Sequence, residues 1–523
     1  MSPISSQSLF AVVRQIRPQY VWQICLVLFV ALAVRLWGLN FGLPYAYHID
    51  EPRYIFSAVG MWQDGTLNPG WFNQPTLYTY LIAVVLGVYY GFGRLLGAFV
   101  STADLFRPPY HFDGFIPFPE EFLLARLLTV VLALATVWVV YRLGQQWLGQ
   151  KGAVGAAAFL ALSIFHVTSS HFIATDVPVG LFIMLTLFFC IRLTETGQTR
   201  DYVWVGLFAG LAVGTKYSAY VLVVPAALAH LLAWRRGHVQ LLNPALLWMG
   251  VVAVLALFLT TPYAVLDNGQ FMADLRYEWE HHKVLGHVGS EGGSGLWLLG
   301  QLLTRSDRWL TLLAGVGMGL ALWRRHWPSL VVASFTIVYF ATMATNLVRF
   351  ERFLVPMIPA LAVSAGYSVA LLSNWLAGKR PYLWPLIMFP LLLEPMIGVM
   401  QFDSLLAQTE ARTLARNWII ENIPPQSKLA TERYAPNLDE ADYQLRHLTS
   451  LNEHPAAWYR GQGFDYLIFA EAQYGIVWRE PEQYADLIAA YETLWANFEL
   501  VAQFEGPYVG RPNHHILIYR VTP

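Results

Sequence analysis

Long apolar stretches separated by short polar segments dominate the first 400 residues of this chain. A helix that spans a bilayer needs about 20 apolar residues, with a range near 17–25. The stretches that approach this length predict about eleven transmembrane helices, at 22–39, 122–143, 153–168, 177–194, 202–215, 218–234, 245–264, 308–323, 329–346, 353–373 and 382–400. No small-residue cleavage site follows the first stretch, so we interpret it as an uncleaved membrane helix.

Basic residues fall in alternate loops between these stretches, at Arg14, Arg17, Arg142, Lys151, Arg192, Arg200, Arg235, Arg236, Arg324, Arg325, Lys379 and Arg380. Lys- and Arg-rich loops stay on the cytoplasmic side, so the alternation predicts a plasma-membrane protein with its N-terminus inside. Counting the apolar stretch 75–96 as a crossing would break the alternation. We therefore interpret 75–96 as an interfacial or re-entrant helix in a long outer loop, about residues 40–121.

The pattern changes after about residue 400. Residues 401–523 combine charged helical patterns with strand-like runs, notably a helix at 409–420 and strands at 466–470 and 515–521. We predict a transmembrane domain over 1–400 and a soluble α/β domain over 401–523. The parity of the predicted spans places that second domain outside the cell.

The composition supports a membrane protein. Of 523 residues, 56% are hydrophobic and 13% are charged, whereas a soluble domain carries roughly 25% charged residues. Most of the chain must therefore be solvated by the lipid bilayer. The net charge of −1 argues against a nucleic-acid partner.

The most informative polar segment follows the first apolar stretch, where residues 48–54 read HIDEPRY. Ionisable groups beside a membrane helix are costly unless they are partnered, so they indicate a functional site. Asp50 can cap a helix that begins near Pro52, and it can also act as a general base toward an acceptor hydroxyl or amine. Because neighbouring helical residues point about 100° apart, a single acting Asp50 is favoured over a pair with Glu51.

Other outer loops carry a second acidic residue and several basic ones. Asp176 can cap the following helix, or it can raise the pKa of Asp50, bind a cation or orient the acceptor. Lys216 interrupts an apolar stretch, where a lysine can simply extend its amine to the membrane surface. Together with Arg349 and Arg352 it can instead form a cationic clamp for a phosphate or pyrophosphate headgroup.

The metal-binding signals are weak. The outer segments hold four candidate histidine ligands, whose spacing matches no closed zinc site: His48, His171, His281 and His282. A divalent cation on the oxygen ligands Asp50, Glu51 and Asp176 is open, but the sequence does not require one. No phosphate-binding glycine loop and no nucleophile elbow occurs, so a nucleotide site has no support.

Six motifs in order give the chain a resemblance to a known superfamily: DEPRY at 50–54, NQPTLY at 73–78, ARL at 125–127, TDVP at 175–178, GLAVGTK at 210–216 and RFERFLVPMIP at 349–359. Over about residues 20–375 the chain resembles the C-type glycosyltransferases, in the branch of the protein O-mannosyltransferases and the lipid A aminoarabinose transferases. This resemblance implies the C-type glycosyltransferase fold and a polyprenyl-phosphate sugar donor used at the outer face.

The resemblance also implies roles for individual residues. Asp50 matches the first-loop acidic position, a base or acceptor-orienting group, and Asp176 matches the second-loop acidic position. The candidate catalytic residues are therefore Asp50, Asp176 and Glu51. The candidate substrate-binding residues, of which the last three would face the carrier phosphate, are His48, Arg53, Tyr54, His171, Lys216, Arg349 and Arg352.

The predicted function is a hexosyl- or pentosyltransferase that moves a sugar from the lipid carrier to a protein, lipid or glycan acceptor. Attack opposite the leaving phosphate would invert the anomeric centre. One alternative is a flippase or transporter of lipid-linked sugars, which would need inverted repeats or broken midplane helices. Another is a polysaccharide ligase or lipid phosphotransferase, which would share the outer acidic loop.

Overall fold

The computed structural model describes residues 18–522 except 111, 113, 287, 291, 306 and 378–382. Four of the basic residues that support the predicted orientation lie outside the described residues, namely Arg14, Arg17, Lys379 and Arg380. The bounds of the helices follow in chain order. They are α1 (Pro18–Leu36), α2 (Glu51–Asp64), α3 (Leu77–Leu95), α4 (Pro119–Trp147), α5 (Gln150–Leu162), α6 (Ile164–Ser170), α7 (Asp176–Thr196), α8 (Thr199–Val213), α9 (Val223–Arg235), α10 (Ala245–Thr260), α11 (Tyr263–Leu266), α12 (Asn268–Glu280), α13 (Gly295–Thr304), α14 (Arg308–Trp323), α15 (Trp327–Ala344), α16 (Ile358–Ala377), α17 (Leu383–Leu406), α18 (Ala411–Asn422), α19 (Ala456–Gly461), α20 (Glu471–Tyr474) and α21 (Ala485–Asn497).

The chain is a multi-pass membrane protein, and its helical part contains the membrane-spanning segments. Within the described residues, six helical segments are long and apolar enough to cross a membrane: Pro119–Trp147, Asp176–Thr196, Tyr217–Arg235, Trp327–Ala344, Glu351–Leu376 and Trp384–Asn422. Helices α5 and α6 make a seventh if they count as one bent span. Shorter apolar helices lie at Val21–Leu36, Ala245–Thr260, Gly295–Thr304 and Arg308–Trp323. The predicted total of eleven spans, and the interfacial placement of α3, stay predictions.

The predicted span 153–168 is broken at Ser163, where α5 and α6 meet at 54°. The Asp307 carboxylate accepts hydrogen bonds from the Ser163 hydroxyl (2.7 Å) and from the backbone N–H groups of Ile164 (3.1 Å) and Phe165 (3.3 Å). The first N–H groups of a helix have no partner inside the helix and favour a negative charge. Asp307 therefore stabilises a second helix start inside an apolar run.

Small residues allow a close contact between α8 and α10. Gly206 and Gly210 lie one turn apart on α8 and face α10, where a Cβ on either glycine would overlap the carbonyl oxygen of Met249 or Ala253. Such a small-residue face lets helix backbones approach closely in a membrane. This contact places the end of α8, and with it Lys216, in a fixed position.

The C-terminal part contains a five-stranded sheet in the order β2-β1-β3-β5-β4. The strands are β1 (Lys428–Thr431), β2 (Gln444–His447), β3 (Tyr466–Ala470), β4 (Glu499–Tyr508) and β5 (Arg511–Arg520). Strand β1 runs parallel to β2 and β3, whereas β5 is antiparallel to β3 and β4. The predicted mixture of helices and strands is confirmed, and the second predicted strand begins at Arg511 rather than at 515. The predicted boundary at residue 400 falls inside α17 and stays a prediction.

Candidate functional site

The centre of the candidate site is an ion pair between Asp50 and Arg352. Asp50 occupies the N-cap position of α2, as predicted, but its side chain makes no capping hydrogen bond. Its carboxylate instead accepts a hydrogen bond from the Arg352 guanidinium (Nη1 to Oδ2, 2.8 Å). Arg53 lies on the other side, with 3.7 Å between Nη1 and Oδ1. Asp50 is therefore oriented by cations rather than by the helix that it begins.

Arg352 reaches Asp50 from a 3₁₀ helix, Glu351–Met357, that leads into α16. Its guanidinium also lies over the Phe350 ring, 4.9 Å from the ring centroid. The side chain remains 47% exposed, so it can present further N–H groups to a ligand. The neighbouring Glu351 pairs with Arg305.

The charges around Asp50 control its protonation. Burial alone would raise the pKa of the Asp50 carboxyl, but Arg352, His48 and Arg53 outweigh this effect and hold the pKa below its ordinary value. Asp50 is therefore ionised at neutral pH and able to accept a proton. Burial lowers the pKa of His48, whose ring stacks on Phe172 at 4.4 Å.

Glu51 has a different environment from Asp50. It forms a two-pronged ion pair with Arg126 of α4 (Nε to Oε1, 2.9 Å; Nη2 to Oε2, 2.7 Å), and both side chains are fully buried. Glu51 also accepts a hydrogen bond from the Ile173 N–H at 3.1 Å. Arg126 donates in turn to the carbonyl oxygens of Leu39 (2.8 Å) and Phe41 (3.0 Å). This network joins the ends of α1 and α2 to α4 and to the loop before α7.

Asp176 and Lys216 form a second ion pair. Asp176 is the first residue of α7 and follows the N-cap residue Thr175, whose side chain makes no capping hydrogen bond. Lys216, in extended backbone directly after α8, places its Nζ 2.7 Å from Asp176 Oδ1. The lysine therefore turns to a carboxylate instead of extending its amine to the membrane surface. Both side chains are nearly buried.

Tyr54 is a buried residue whose hydroxyl is affected by the charges of both Asp50 and Asp176. Its ring packs edge-on against Trp71 (5.4 Å) and Tyr78 (5.6 Å). Burial raises the pKa of the Tyr54 hydroxyl well above its ordinary value, and the negative charges of Asp50 and Asp176 raise it further. Both carboxylates thus act on the same hydroxyl, as expected if they share a site.

Two predicted binding residues make other contacts. The His171 ring is fully buried, with Nδ1 2.9 Å from the Val167 carbonyl oxygen and Nε2 3.1 Å from that of Trp37. The Arg349 guanidinium donates to the carbonyl oxygens of Gly293 (3.0 Å) and Gly292 (3.1 Å). The structure therefore places these side chains in contacts of the scaffold, whereas Arg352 and Lys216 pair with the two aspartates.

His282 and Glu278 form a further side of the candidate site, which the sequence motifs did not assign. His282 lies on a π-helical turn, His281–Leu285, with its Nδ1 3.6 Å from Glu278 Oε2. Glu278 also accepts a hydrogen bond from Asn73 Nδ2 at 2.7 Å. Burial, together with the nearby charges of His281, Arg352 and Lys216, lowers the pKa of His282 to about 4. The sequence feature that could have indicated this pair is the spacing of Glu278 and His282, because residues four apart lie on one face of a helix.

The acidic residues of the site are matched with cations rather than grouped. Asp50 pairs with Arg352, Glu51 with Arg126 and Asp176 with Lys216. Over the residues that the structure describes, no group of three His, Cys, Asp or Glu side chains could hold a metal ion. Of the three paired cations, Arg352 is the one whose side chain stays largely exposed.

Residues 118–263 match a family model described as dolichyl-phosphate-mannose-protein mannosyltransferase. The matched region contains Arg126, Asp176 and Lys216, whereas Asp50 and Arg352 lie outside it. No curated protein matches the chain in a sequence comparison.

Solved structures share the fold of nearly the whole chain. ArnT from Cupriavidus metallidurans in the apo state is 15% identical, with 96% of this chain and 98% of that chain covered and a TM-score of 0.51. The oligosaccharyltransferase of Archaeoglobus fulgidus in the apo form is 12% identical, with 94% and 75% covered and a TM-score of 0.52. The same oligosaccharyltransferase tethered with an acceptor peptide that contains the NVT sequon is 12% identical, with 97% and 74% covered and a TM-score of 0.52.

Proposed function

We propose that this chain is a C-type glycosyltransferase that moves a sugar from a polyprenyl-phosphate donor to an acceptor at the outer face of the plasma membrane. The shared fold and the mannosyltransferase family model support the class of activity predicted from the sequence. The single observation that carries the site is that Asp50 pairs with Arg352 and Asp176 pairs with Lys216, so that each ion pair joins two distant segments of the chain. The N-terminus would then lie in the cytoplasm and the C-terminal domain outside.

In the proposed reaction Asp50 is the general base. It accepts the proton of an acceptor hydroxyl or amine while the acceptor atom bonds to the anomeric carbon of the sugar. The bond from that carbon to the phosphate oxygen breaks, and polyprenyl phosphate leaves with both electrons of the bond. Attack opposite the phosphate inverts the anomeric centre.

Arg352 connects donor binding to the strength of the base. Its exposed N–H groups would bind the donor phosphate while another contacts Asp50. A phosphate shares the positive charge of Arg352, so the pKa of Asp50 rises and the carboxylate becomes a better proton acceptor. Lys216 would stabilise the same phosphate, and Asp176 would hold Lys216 and the acceptor in place.

In this proposal the remaining candidates either hold the scaffold in place or line the substrate site. Glu51 and Arg126 fix the backbone that presents Asp50, because both Glu51 oxygens accept from Arg126. His48, Arg53 and Tyr54 line the acceptor side. His171 and Arg349 hold loops together rather than contact substrate. No step of the reaction requires a divalent cation, because Arg352 and Lys216 supply the positive charge.

The function is tested with purified protein in liposomes that contain polyprenyl phosphate mannose. Mass spectrometry would follow the release of polyprenyl phosphate, and the anomeric configuration of the product would be determined by NMR. A panel of other sugars on the same carrier extends the assay. We expect sugar release that depends on an added acceptor extract. Movement of intact donor between leaflets without cleavage of any sugar would instead identify a flippase.

Replacement of Arg352 by Gln is expected to raise the KM for the lipid donor about tenfold or more. A hydrogen bond to a charged group contributes about 1.5–3 kcal/mol, and the variant loses the charge that binds phosphate. It also loses the main charge that lowers the pKa of Asp50, with His48 and Arg53 remaining. The acid limb of the kcat/KM profile should therefore move to higher pH. Both values come from initial rates over a pH series.

Arg305→Gln is the matched control. Arg305 pairs with Glu351, next to Arg352 in sequence, but its side chain is 54% exposed. Exposed pairs contribute about 0–1 kcal/mol, so this variant should keep the donor KM and the pH profile. An unchanged acid limb in the Arg352→Gln variant would show that Arg352 does not set the pKa of Asp50.

A further inference from the structure

The C-terminal domain contacts both chain segments that carry the central ion pair. Tyr47 lies three residues before Asp50, and Arg349 lies three residues before Arg352. Each of these two residues contacts a charged side chain of the C-terminal part, Arg412 in the first case and Glu480 in the second. The Asp50–Arg352 contact is thus bracketed by attachments to the same domain.

Arg412, on α18, holds Tyr47 in two ways, and its neighbour Thr413 adds a third contact. Its guanidinium lies between two aromatic rings, 3.8 Å from the Tyr47 centroid and 4.4 Å from that of Tyr508. Its Nη2 donates to the Tyr47 carbonyl oxygen at 3.2 Å, and the hydroxyls of Tyr47 and Thr413 are 2.7 Å apart. Arg412 is buried and paired with Glu410 at 2.7 Å. A buried cation with fixed donors is a rigid anchor.

The second attachment lies on the other side of the site. Arg349 Nη1 is 3.5 Å from Glu480 Oε1, while the rest of its guanidinium binds the 292–293 loop. Gly289, in the same loop, has φ +69°, and a Cβ there would overlap Ile476 of the C-terminal domain. The domain therefore packs directly against the loop that holds Arg349.

We propose that the C-terminal domain positions the catalytic ion pair, with Arg412 as the positioning residue for Asp50 and Glu480 as the positioning residue for Arg352. The inference rests on the proposed function. Asp50 lies between two anchors, because Tyr47 is held by Arg412 and Glu51 is held by Arg126. A misplacement of about 1 Å in a reacting group can reduce a rate about 10²-fold, so loss of one anchor should be visible in turnover.

The two positioning residues predict different kinetic effects. Arg412→Leu should lower kcat about 10- to 100-fold with little change in donor KM, because it displaces the base. Glu480→Gln should raise the donor KM several-fold with a smaller effect on kcat, because it releases the segment of the phosphate-binding Arg352. Arg412→Lys keeps the buried charge and loses the planar fork, so it should fold and still show a reduced kcat.

Arg520→Leu is the matched control, since Arg520 also lies over a tyrosine ring (Tyr466, 5.9 Å) and near a glutamate (Glu499, 3.4 Å). Both of its partners belong to the C-terminal domain. This variant should keep the wild-type kcat and donor KM. Activity is expressed per monodisperse, folded molecule, so that a loss of folded protein is not counted as a loss of turnover.

Hydrogen–deuterium exchange separates failure of this inference from failure of the proposed function. Peptides that cover residues 41–54 should exchange faster in Arg412→Leu and Arg412→Lys than in wild type or Arg520→Leu. Unchanged exchange in both Arg412 variants would overturn the inference, whether or not the wild type transfers sugar. Faster exchange with a wild-type kcat in an active protein would overturn it as well. Faster exchange in a protein without transferase activity would support the positioning and reject the proposed function.

Discussion

Replacement of Asp50 by Asn is expected to lower kcat by about 10²–10⁴-fold, the range that a positioned general base contributes. The amide has nearly the shape of the carboxylate and its oxygen can still accept the hydrogen bond from Arg352, which in the native chain spans 2.8 Å. It cannot accept the proton of the acceptor. The donor KM should therefore change much less than kcat.

The measurement is initial-rate kinetics of polyprenyl phosphate release by purified wild type and variant. Asp64→Asn is the matched control, because Asp64 ends the same helix, pairs with Arg107 at 2.9 Å and has a side chain 50% exposed. It should retain wild-type turnover. A kcat within a few-fold of wild type for Asp50→Asn would show that another group takes the proton.

The second large effect is expected at Glu51 and Arg126. Both side chains are fully buried and they share two hydrogen bonds. Removing one partner of a buried ion pair costs about 3–5 kcal/mol, because the other charge remains unpaired. Arg126→Met should therefore reduce the midpoint of thermal unfolding in detergent strongly, and Glu51→Gln should do the same.

The double variant Glu51→Gln/Arg126→Met tests whether the cost arises from the unpaired charge. Without either charge, the loss should be clearly smaller than the sum of the two single losses. Glu499→Gln is a control, since it removes a mostly exposed partner of Arg520 and should leave the unfolding midpoint near that of wild type. Additive losses in the double variant would contradict direct pairing.

The apolar stretches predicted a multi-pass membrane protein, and each of the six long spanning segments overlaps a predicted span, because burial in lipid requires a long uninterrupted run. The break at Ser163 could not be predicted, since it depends on Asp307, which lies 144 residues away and supplies the partner for Ser163 and the start of α6. Local sequence gives the period of a helix but not the distant groups that allow it to stop. The same limit applies to the strand β5, which is extended by its pairing with β4.

For the site, residue type and loop position predicted Asp50, Asp176, Lys216 and Arg352, and the structure pairs Asp50 with Arg352 and Asp176 with Lys216. Arg349 and Arg352 lie in the same loop and have the same chemistry, so sequence alone could not separate them. Only the packing of the 292–293 loop and of Glu480 assigns them different contacts. Arg126 was visible as an arginine in an apolar span, a position that requires a buried partner.

Glu51 shows how neighbouring residues acquire different environments. The 100° step between adjacent helical residues predicts that only one of the two carboxylates faces a given pocket. In the structure Asp50 remains 26% exposed beside Arg352, whereas Glu51 is fully buried against Arg126. The choice of which carboxylate faces inward depends on α4 and therefore on the tertiary structure.

Side-specific chemical labelling tests the common site most directly. In a Cys25→Ala/Cys190→Ala background, single cysteines would replace Asp64 on α2, Arg305 beside Glu351, and Arg324 after α14, all of which are exposed. In intact cells, a membrane-impermeant maleimide should label positions 64 and 305 and should reach position 324 only after permeabilisation. If 64 and 305 were labelled from opposite sides of the membrane, Asp50 and Arg352 could not belong to one outer-face site.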